Sequence, residues 1–313
     1  MVIPYLKEAY LYKKLDNDKA TPATPELAMV GRVQCQTCNH RCTIADGKRG
    51  ICGIRENQGG VLYLLTYGQA CAENIDPIEK KPLYHFLPHT QTLTVATVGC
   101  NFRCQWCQNY DISQGPKDNN VRYQSEESNF LLPPAKIILD AKKANCPSIS
   151  YSYTEPTVYL EYTLDTMKLA RKAHLKNIWV SNGYMTDETL KLIVPYLDAA
   201  NIDIKTIDKD KFNKYCGAGD PNIVLENCKK LIKKGVHLEI TSLIIPTVND
   251  DQEQLEKIAH FIYNELGSDI VWHLSRYFPA YKMFLSPTSM EKLEKAQEIG
   301  KKIGLRYVYV GNV

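Results

Sequence analysis

No apolar run in this chain approaches the roughly 20 residues that a helix needs to cross a bilayer. The first residues lack a secretory core as well: Lys7, Glu8, Lys13 and Lys14 break up the stretch from Met1 onward. An excess of one charge is also missing. The 38 basic and 35 acidic residues leave a formal charge of +3. That balance offers no footprint for nucleic acid or for an anionic membrane. The expectation is a cytoplasmic protein. Hydrophobic residues at 44% and charged residues at 23% are ordinary for a globular chain, and 313 residues allow one large domain or two.

Against these absences stand eleven cysteines. In a cytoplasmic chain they point to metal chemistry before disulfides. Cys100, Cys104 and Cys107 share one short loop at spacings of four and three. Zinc in a structural site takes four ligands, so this loop alone does not close one. Three thiolates suit three irons of a [4Fe–4S] cube and leave the fourth iron open. An open position distinguishes a reactive metal site from a structural one. Cys35, Cys38, Cys42 and Cys52 form a second set within 18 residues, with Gly47, Gly50 and Gly53 supplying turns. Four sulfurs without a vacancy read as a closed site, zinc or a second cluster, with zinc favoured. His40 is an alternative ligand there. Cys71, Cys146, Cys216 and Cys228 read as small buried hydrophobes.

The apolar spacing of residues 4–15, with Pro4 in the first turn, predicts a short helix. Residues 16–27, with Pro22 and Pro25, read as a loop. Residues 61–70 read as a strand ending at Gly68, and the prolines of Asp76–Phe86 make that stretch extended rather than helical. From Thr92 onward strand and helix patterns alternate. Strands are predicted at 92–99, 148–155, 177–182, 199–205, 237–245, 270–277 and 305–310. Helices are predicted at 134–145, 157–174, 187–196, 222–234, 251–265 and 288–302. Such alternation implies an α/β fold, a parallel sheet with helices outside. Six or seven strands make a partial TIM barrel, whose chemistry belongs at the C-terminal strand ends. The expected domains are 1–90, a helix and a small Cys-rich metal-binding extension, and 91–313, the barrel.

Suspicious residues fall at those strand ends. The three-cysteine loop follows the first strand. The second ends Tyr151-Ser152-Tyr153-Thr154-Glu155-Pro156, and period two puts Tyr151, Tyr153 and Glu155 on one face. A carboxylate inside a barrel needs a partner, and an ammonium would supply one. The third strand ends Val180-Ser181-Asn182-Gly183. In the fourth, Ile202 and Ile204 face the helices while Asn201, Asp203 and Lys205 face inward. On the sixth, His273, Ser275 and Tyr277 share a face, and Arg276 and Tyr277 are candidates for substrate contact.

Gly99-Cys100-Asn101-Phe102-Arg103-Cys104-Gln105-Trp106-Cys107-Gln108-Asn109 resembles the loop of the radical S-adenosylmethionine (SAM) superfamily, in its pyruvate-formate-lyase-activating-enzyme-like branch. The resemblance implies a radical SAM partial (β/α)6-type barrel. It also implies a [4Fe–4S] cluster whose open iron chelates SAM, and reductive cleavage of SAM to methionine and a 5′-deoxyadenosyl radical. By the same resemblance, Tyr153-Thr154-Glu155-Pro156 is similar to the element that binds the SAM amino group. Ser181 and Asn182 fall at a ribose or methionine contact, and Asp203-Ile204-Lys205 is similar to an Asp-x-Lys element that contacts SAM. Trp106 and His273 lie near the cofactor. An electron donor of flavodoxin or ferredoxin type is implied.

The N-terminal cysteines followed by Asp76-Pro-Ile-Glu-Lys-Lys-Pro-Leu-Tyr-His-Phe86 sharpen the resemblance to one subfamily. It is the radical SAM member of a system that includes AMMECR1-like and Memo-like proteins, which become expected partners (AmmeMemoRadiSam). Val313 falls before the Pro-Gly and Cys-x2-Cys tail usual in such proteins, which points to truncation or an atypical end. Two rivals remain. One is activation of a glycyl-radical enzyme. The other, an electron carrier or SAM-binding scaffold, would not need Glu155, Asp203 and Lys205 around an open iron.

Overall fold

A computed structural model describes residues 6–15, 31–117 and 130–313. The loop expected at 16–27 and residues 4 and 5 of the expected first helix lie outside these. Residues 6–15 are not helical. They form β1 (Lys7–Glu8) and β2 (Tyr12–Lys14). Their apolar spacing fits a helix face, but two ladders claim the backbone instead. β1 pairs antiparallel with β6 (Val61–Leu64), itself paired with β5 (Arg55–Gln58). β2 pairs with β3 (Val33–Cys35), which pairs with β4 (Thr43–Ile44). The Ala9 amide donates to the Leu62 carbonyl at 2.8 Å, and Ala9, Val33, Ile44 and Leu62 make a small core of their own.

The expected strand at 61–70 stops at Leu64. Beyond Gly68 come β7 (Gln69–Ala70) and β8 (Ala72–Pro77). β7 pairs with β10 (Phe130–Leu131). β8 joins the main sheet, so that sheet begins before the boundary expected at 91.

The main sheet has eight strands. β8 lies antiparallel at one edge against β9 (Gln91–Ala96). The remaining strands run parallel: β11 (Ser148–Tyr151), β12 (Lys176–Ser181), β13 (Ala199–Asp203), β14 (His237–Ile244), β15 (Val271–Arg276) and β16 (Val308–Gly311). Connecting helices α2 (Pro134–Lys143), α3 (Leu160–Lys172), α4 (Asp187–Ile193), α6 (Asn222–Lys233), α7 (Gln252–Phe261) and α8 (Met290–Ile303) match the predicted set to within a few residues. The alternation therefore gives the parallel α/β fold it predicted. Two helices escaped the sequence reading. α1 (Tyr110–Gln114) is one turn, and α5 (Lys209–Cys216) starts on Asp208, whose carboxylate accepts from the Lys211 amide. That N-cap, and Gly217 in the left-handed conformation after it, were visible signals.

Most of the segment between β8 and β9 crosses the N-terminal ends of the parallel strands and forms a floor. After one 3-10 turn at Ile78–Lys80, the amides of Tyr84 and His85 donate to the two oxygens of Glu239, near the start of β14, at 3.0 and 2.8 Å. Asn201 Nδ2 donates to the Pro82 carbonyl at 2.7 Å. Ile78 and Leu83 pack on Ile178 and Ala199. His85 Nε2 meets Tyr309 Oη at 3.0 Å, which fastens the floor to the last strand. Hydrogen bonds from His237 and His273 hold the Glu239 carboxyl down at about 2, although burial alone would raise it.

The small N-terminal sheets are keyed into the main body. Gly99 takes φ +96, and a Cβ there would stand 2.8 Å from Ile54 Cγ2 and 3.0 Å from the Cys52 carbonyl. Glycine alone fits both demands. Arg55 and Glu161 form a buried ion pair across the same junction, 2% and 0% exposed, with Nη2 to Oε2 at 2.5 Å. Burial would lower the Arg55 pKa, but the Glu161 carboxylate more than offsets this and holds the guanidinium charged.

Candidate active site

The loop after β9 is held mainly by backbone hydrogen bonds. The Gly99 amide donates to Ile112, Arg103 to Cys216 and Gln105 to Tyr215, at 2.9, 2.8 and 3.0 Å. Lys117 Nζ donates to the carbonyls of Cys100 and Phe102 at 2.7 and 2.5 Å. The loop is thus pinned on both sides by groups other than its thiols. Cys100, Cys104 and Cys107 then line one cavity of about 290 Å³ on the inner face of the sheet. Cys107 Sγ lies 3.1 Å from Ser113 Oγ, and Asn182 Nδ2 is 4.0 Å from Cys100 Sγ.

The same cavity is lined by Trp106, Tyr153, Thr154, Glu155, Ser181, Asn182, Asp203 and Lys205. Every cofactor residue expected from the sequence is there except His273. That side chain is on the inner face but too deep. Its Nε2 bonds Glu239 at 2.7 Å and its ring meets Tyr84 at 4.6 Å, so it belongs to the floor. The strand-end candidates for substrate contact are also engaged elsewhere. Tyr277 is buried with its hydroxyl on the Met283 carbonyl, and Arg276 Nε donates to the Thr288 carbonyl.

Strict alternation fails at the end of β11. Tyr151 and Tyr153 do not share a face. Tyr151 is buried among helix-side residues, with its hydroxyl 3.4 Å from Asn177 Oδ1. Tyr153 takes φ +66, a left-handed conformation that costs a non-glycine residue energy. That turn sends its ring inward, where the hydroxyl donates to Asp76 Oδ2 at 2.5 Å.

Glu155 is 2% exposed and has four donors: Thr157 N at 3.1 Å, Thr157 Oγ1 at 2.6 Å, Ser181 Oγ at 2.8 Å and Asn182 N at 2.8 Å. All are neutral. Burial raises its pKa, and these bonds only partly restrain the rise. The carboxylate therefore ties the ends of β11 and β12 together and meets no cation among the described residues. Asp203 and Lys205 form a pair at 2.8 Å. Asn249 Nδ2 fixes the Lys205 carbonyl at 2.7 Å. Asn101, which the sequence reading passed over, is fully buried. Its Oδ1 accepts from Asn182 Nδ2 at 2.7 Å, and its own Nδ2 has no partner among the described residues.

The donor set fits an iron–sulfur cube. Burial pushes the thiols of Cys100 and Cys107 up, and at Cys104 a hydrogen bond with Cys216 adds to burial. Thiols so placed ionise when a metal supplies the compensating charge. Among the described residues no three His, Cys, Asp or Glu side chains close around a single ion. A cube does not ask for that, because each ligand sits on its own iron. The second cysteine set also shares a small cavity: Cys35, Cys38, Cys42 and Cys52 line it with Arg55. His40 does not. Its ring packs on Tyr184 at 5.2 Å and Phe102 at 6.4 Å, with Nε2 buried and unpartnered.

Residues 94–262 match the model of the radical SAM superfamily. The chain is 44% identical to an uncharacterised protein of Methanocaldococcus jannaschii over 310 residues, 98% of this chain and 86% of that one. It is 26% identical to the pyruvate formate-lyase-activating enzyme of Clostridium pasteurianum over 169 residues, 53% of this chain and 67% of that one. Streptococcus suis SuiB bound to S-adenosylmethionine superposes with a TM-score of 0.53 at 16% identity, covering 71% of this chain and 52% of that one. At that identity the likeness concerns the fold. The superfamily model covers more than half of the chain, the three-thiol loop included, and the chain belongs to the radical SAM superfamily.

Proposed function

We propose that Cys100, Cys104 and Cys107 hold a [4Fe–4S] cluster and that Glu155, Asp203 and Lys205 receive SAM beside it, in a partial (β/α)6 barrel. One observation carries the reading: the three thiols and the three charged side chains open on the same cavity. The cluster, when bound and reduced, supplies the electron that cleaves SAM to methionine and a 5′-deoxyadenosyl radical. The chain's own residues bind and orient. Glu155 presents a buried carboxylate to the SAM ammonium. Lys205 is held charged: burial would lower its pKa, but the Asp203 carboxylate more than offsets that. Its ammonium suits the SAM carboxylate. Trp106 and Thr154 close the cavity around them.

The substrate of the radical is a separate matter. The relatives of known role include activating enzymes of pyruvate formate-lyase and of isethionate sulfite-lyase. They support a second reading in which the hydrogen comes from a glycine of a partner enzyme. The stretch Asp76–Phe86 supports membership of the AMMECR1- and Memo-associated subfamily, with those proteins and a flavodoxin- or ferredoxin-type donor as partners. Assays with and without such partners, read by product mass, decide between the two.

Glu155→Ala would leave Ser181, Asn182 and Thr157 unbonded and disturb two strand ends. Glu155→Gln keeps the shape and removes the charge. Loss of a charge-assisted contact costs roughly 1–3 kcal/mol, or about ten- to hundredfold in Kd. Glu155→Gln and Lys205→Met are each expected to weaken SAM by that factor in calorimetric titration, with the cluster absorption unchanged. Wild-type affinity in both would remove the charged contacts from the SAM site.

Cys35, Cys38, Cys42 and Cys52 are proposed to hold zinc or a second cluster. Their shared small cavity favours this, as does the buried Arg55, whose positive charge suits an anionic four-thiolate site; the thiols are not drawn in around a single ion here, so binding has to close them. The Cys100/Cys104/Cys107 triple alanine variant separates the two sites. About one equivalent of zinc by elemental analysis is expected, iron with sulfide would make the site a second cluster, and neither would refute it.

A further inference from the structure

The stretch Asp76–Phe86 does more than close the floor. It also carries two lysines into the cavity that holds the three thiols. Lys80 Nζ donates to Asp76 Oδ1 and Lys81 Nζ to Asp76 Oδ2, each at 2.7 Å. Two ammoniums thus share one carboxylate. Burial alone would raise the Asp76 pKa, but hydrogen bonds from Lys80, Lys81 and Tyr153 hold it well below the usual range, so Asp76 stays ionised. Burial lowers the Lys81 pKa and Asp76 only partly restores it; with both lysines protonated the group carries one positive charge in excess.

Structure has been spent on this arrangement. Lys81 is 1% exposed, and its ammonium also lies 4.3 Å from the centre of the Tyr153 ring. That ring comes inward only because Tyr153 accepts a left-handed backbone. Strain of this kind persists where the surroundings over-determine it, and it gathers at ligand sites. Lys80 is different. It is 60% exposed and still lines the cavity, so a ligand arriving from water meets it first. Asp203 and Lys205 neutralise each other, and Glu155 faces the proposed SAM ammonium. Apart from Asp76, no carboxylate among the described residues pairs with Lys80 or Lys81.

We propose that Lys80 and Lys81, set by Asp76 and Tyr153, form an anion subsite. On this reading the substrate of the radical carries a carboxylate or phosphate group, which docks on these ammoniums while its C–H bond lies toward the thiols. The inference rests on the radical SAM reading of the cavity and adds the chemical class of substrate. Charge-assisted bonds of this type supply both affinity and orientation. A floor ion pair with a purely structural role would need Lys81 and Asp76 but not the exposed Lys80.

The test uses anaerobically reconstituted protein saturated with SAM, titrated calorimetrically with acetate and with inorganic phosphate. Wild type is expected to bind at least one probe, and the preferred one identifies the anion. Lys80→Met should weaken it about tenfold without moving the melting temperature, because the side chain is exposed. Lys81→Met should weaken it further, and Tyr153→Phe, which keeps the ring, guards against a folding defect in that variant. Absence of binding to wild type, or equal binding by Lys80→Met, overturns the subsite. SAM affinity measured first on each sample keeps the two readings apart. A wild type that binds no SAM counts against the radical reading, whereas normal SAM binding without anion binding counts against the subsite alone.

Discussion

Cys104→Ala is expected to abolish release of 5′-deoxyadenosine from SAM in reconstituted, reduced protein, leaving only the rate seen without protein. The expectation rests on how the loop is held. Arg103 and Gln105, on either side of Cys104, donate their amides to Cys216 and Tyr215 at the end of α5. Lys117 fastens two carbonyls of the same loop. None of these bonds involves the Cys104 thiol, so alanine removes a ligand and leaves the loop in place. Cys228→Ala, a buried thiol outside the cavity, is the matched control and should retain activity. The readout is paired: chromatography for 5′-deoxyadenosine and absorption for the cluster. A Cys104→Ala protein that still cleaves SAM would mean that these thiols are not the ligands.

Glu161→Ala should have the largest effect on stability. The carboxylate accepts from Arg55 Nη1 at 3.2 Å and Nη2 at 2.5 Å, and from the Tyr10 amide at 2.8 Å. Its removal strands a guanidinium that is 2% exposed. Breaking one side of a buried pair typically costs about 3–5 kcal/mol. Replacing both partners is a different experiment, because no unpaired charge remains. The Arg55→Met/Glu161→Met double variant should recover most of the loss. Denaturant unfolding of the two variants measures this. A single variant within about 1 kcal/mol of wild type, or a double variant no better than the single, would show that the pair is not what locks the N-terminal sheets to α3.

What could be read in the sequence depended on how far apart the interacting residues lie. The cysteine loop was legible because its three thiols lie within eight residues of one another along the chain. Asn201, Asp203 and Lys205 were legible because a strand fixes which residues share a face. His273 shows the limit of that rule. Alternation gave its face correctly but not its depth, and depth decides between cofactor and floor. Residues 6–15 failed for another reason. Their spacing suited a helix, but ladders to β3 and β6 took the backbone, and tertiary pairing overrode propensity. The left-handed turn at Tyr153 carries no sequence signal at all in a tyrosine. Nor did the course of Asp76–Phe86, whose partners Asn201, Glu239 and Tyr309 stand far along the chain. Lys80 and Lys81 were missed with it.

That floor also sets a timetable. His85 waits for Tyr309, 224 residues later. Contacts of such range form late, since the loop must close before they repay it. At the usual synthesis rate of about 5–20 residues per second, the wait on the ribosome is about 10–45 s. Through that interval Tyr84 and His85 lack Tyr307 and Tyr309, although Leu83 and Phe86 meet their partners on β12, β13 and β14 earlier, and the nascent chain presents an incompletely covered segment to whatever is nearby. A stalled chain ending before Val308 should therefore be captured by hydrophobic-segment chaperones far more than the released protein. Equal capture of both would mean that the floor docks without its last strand.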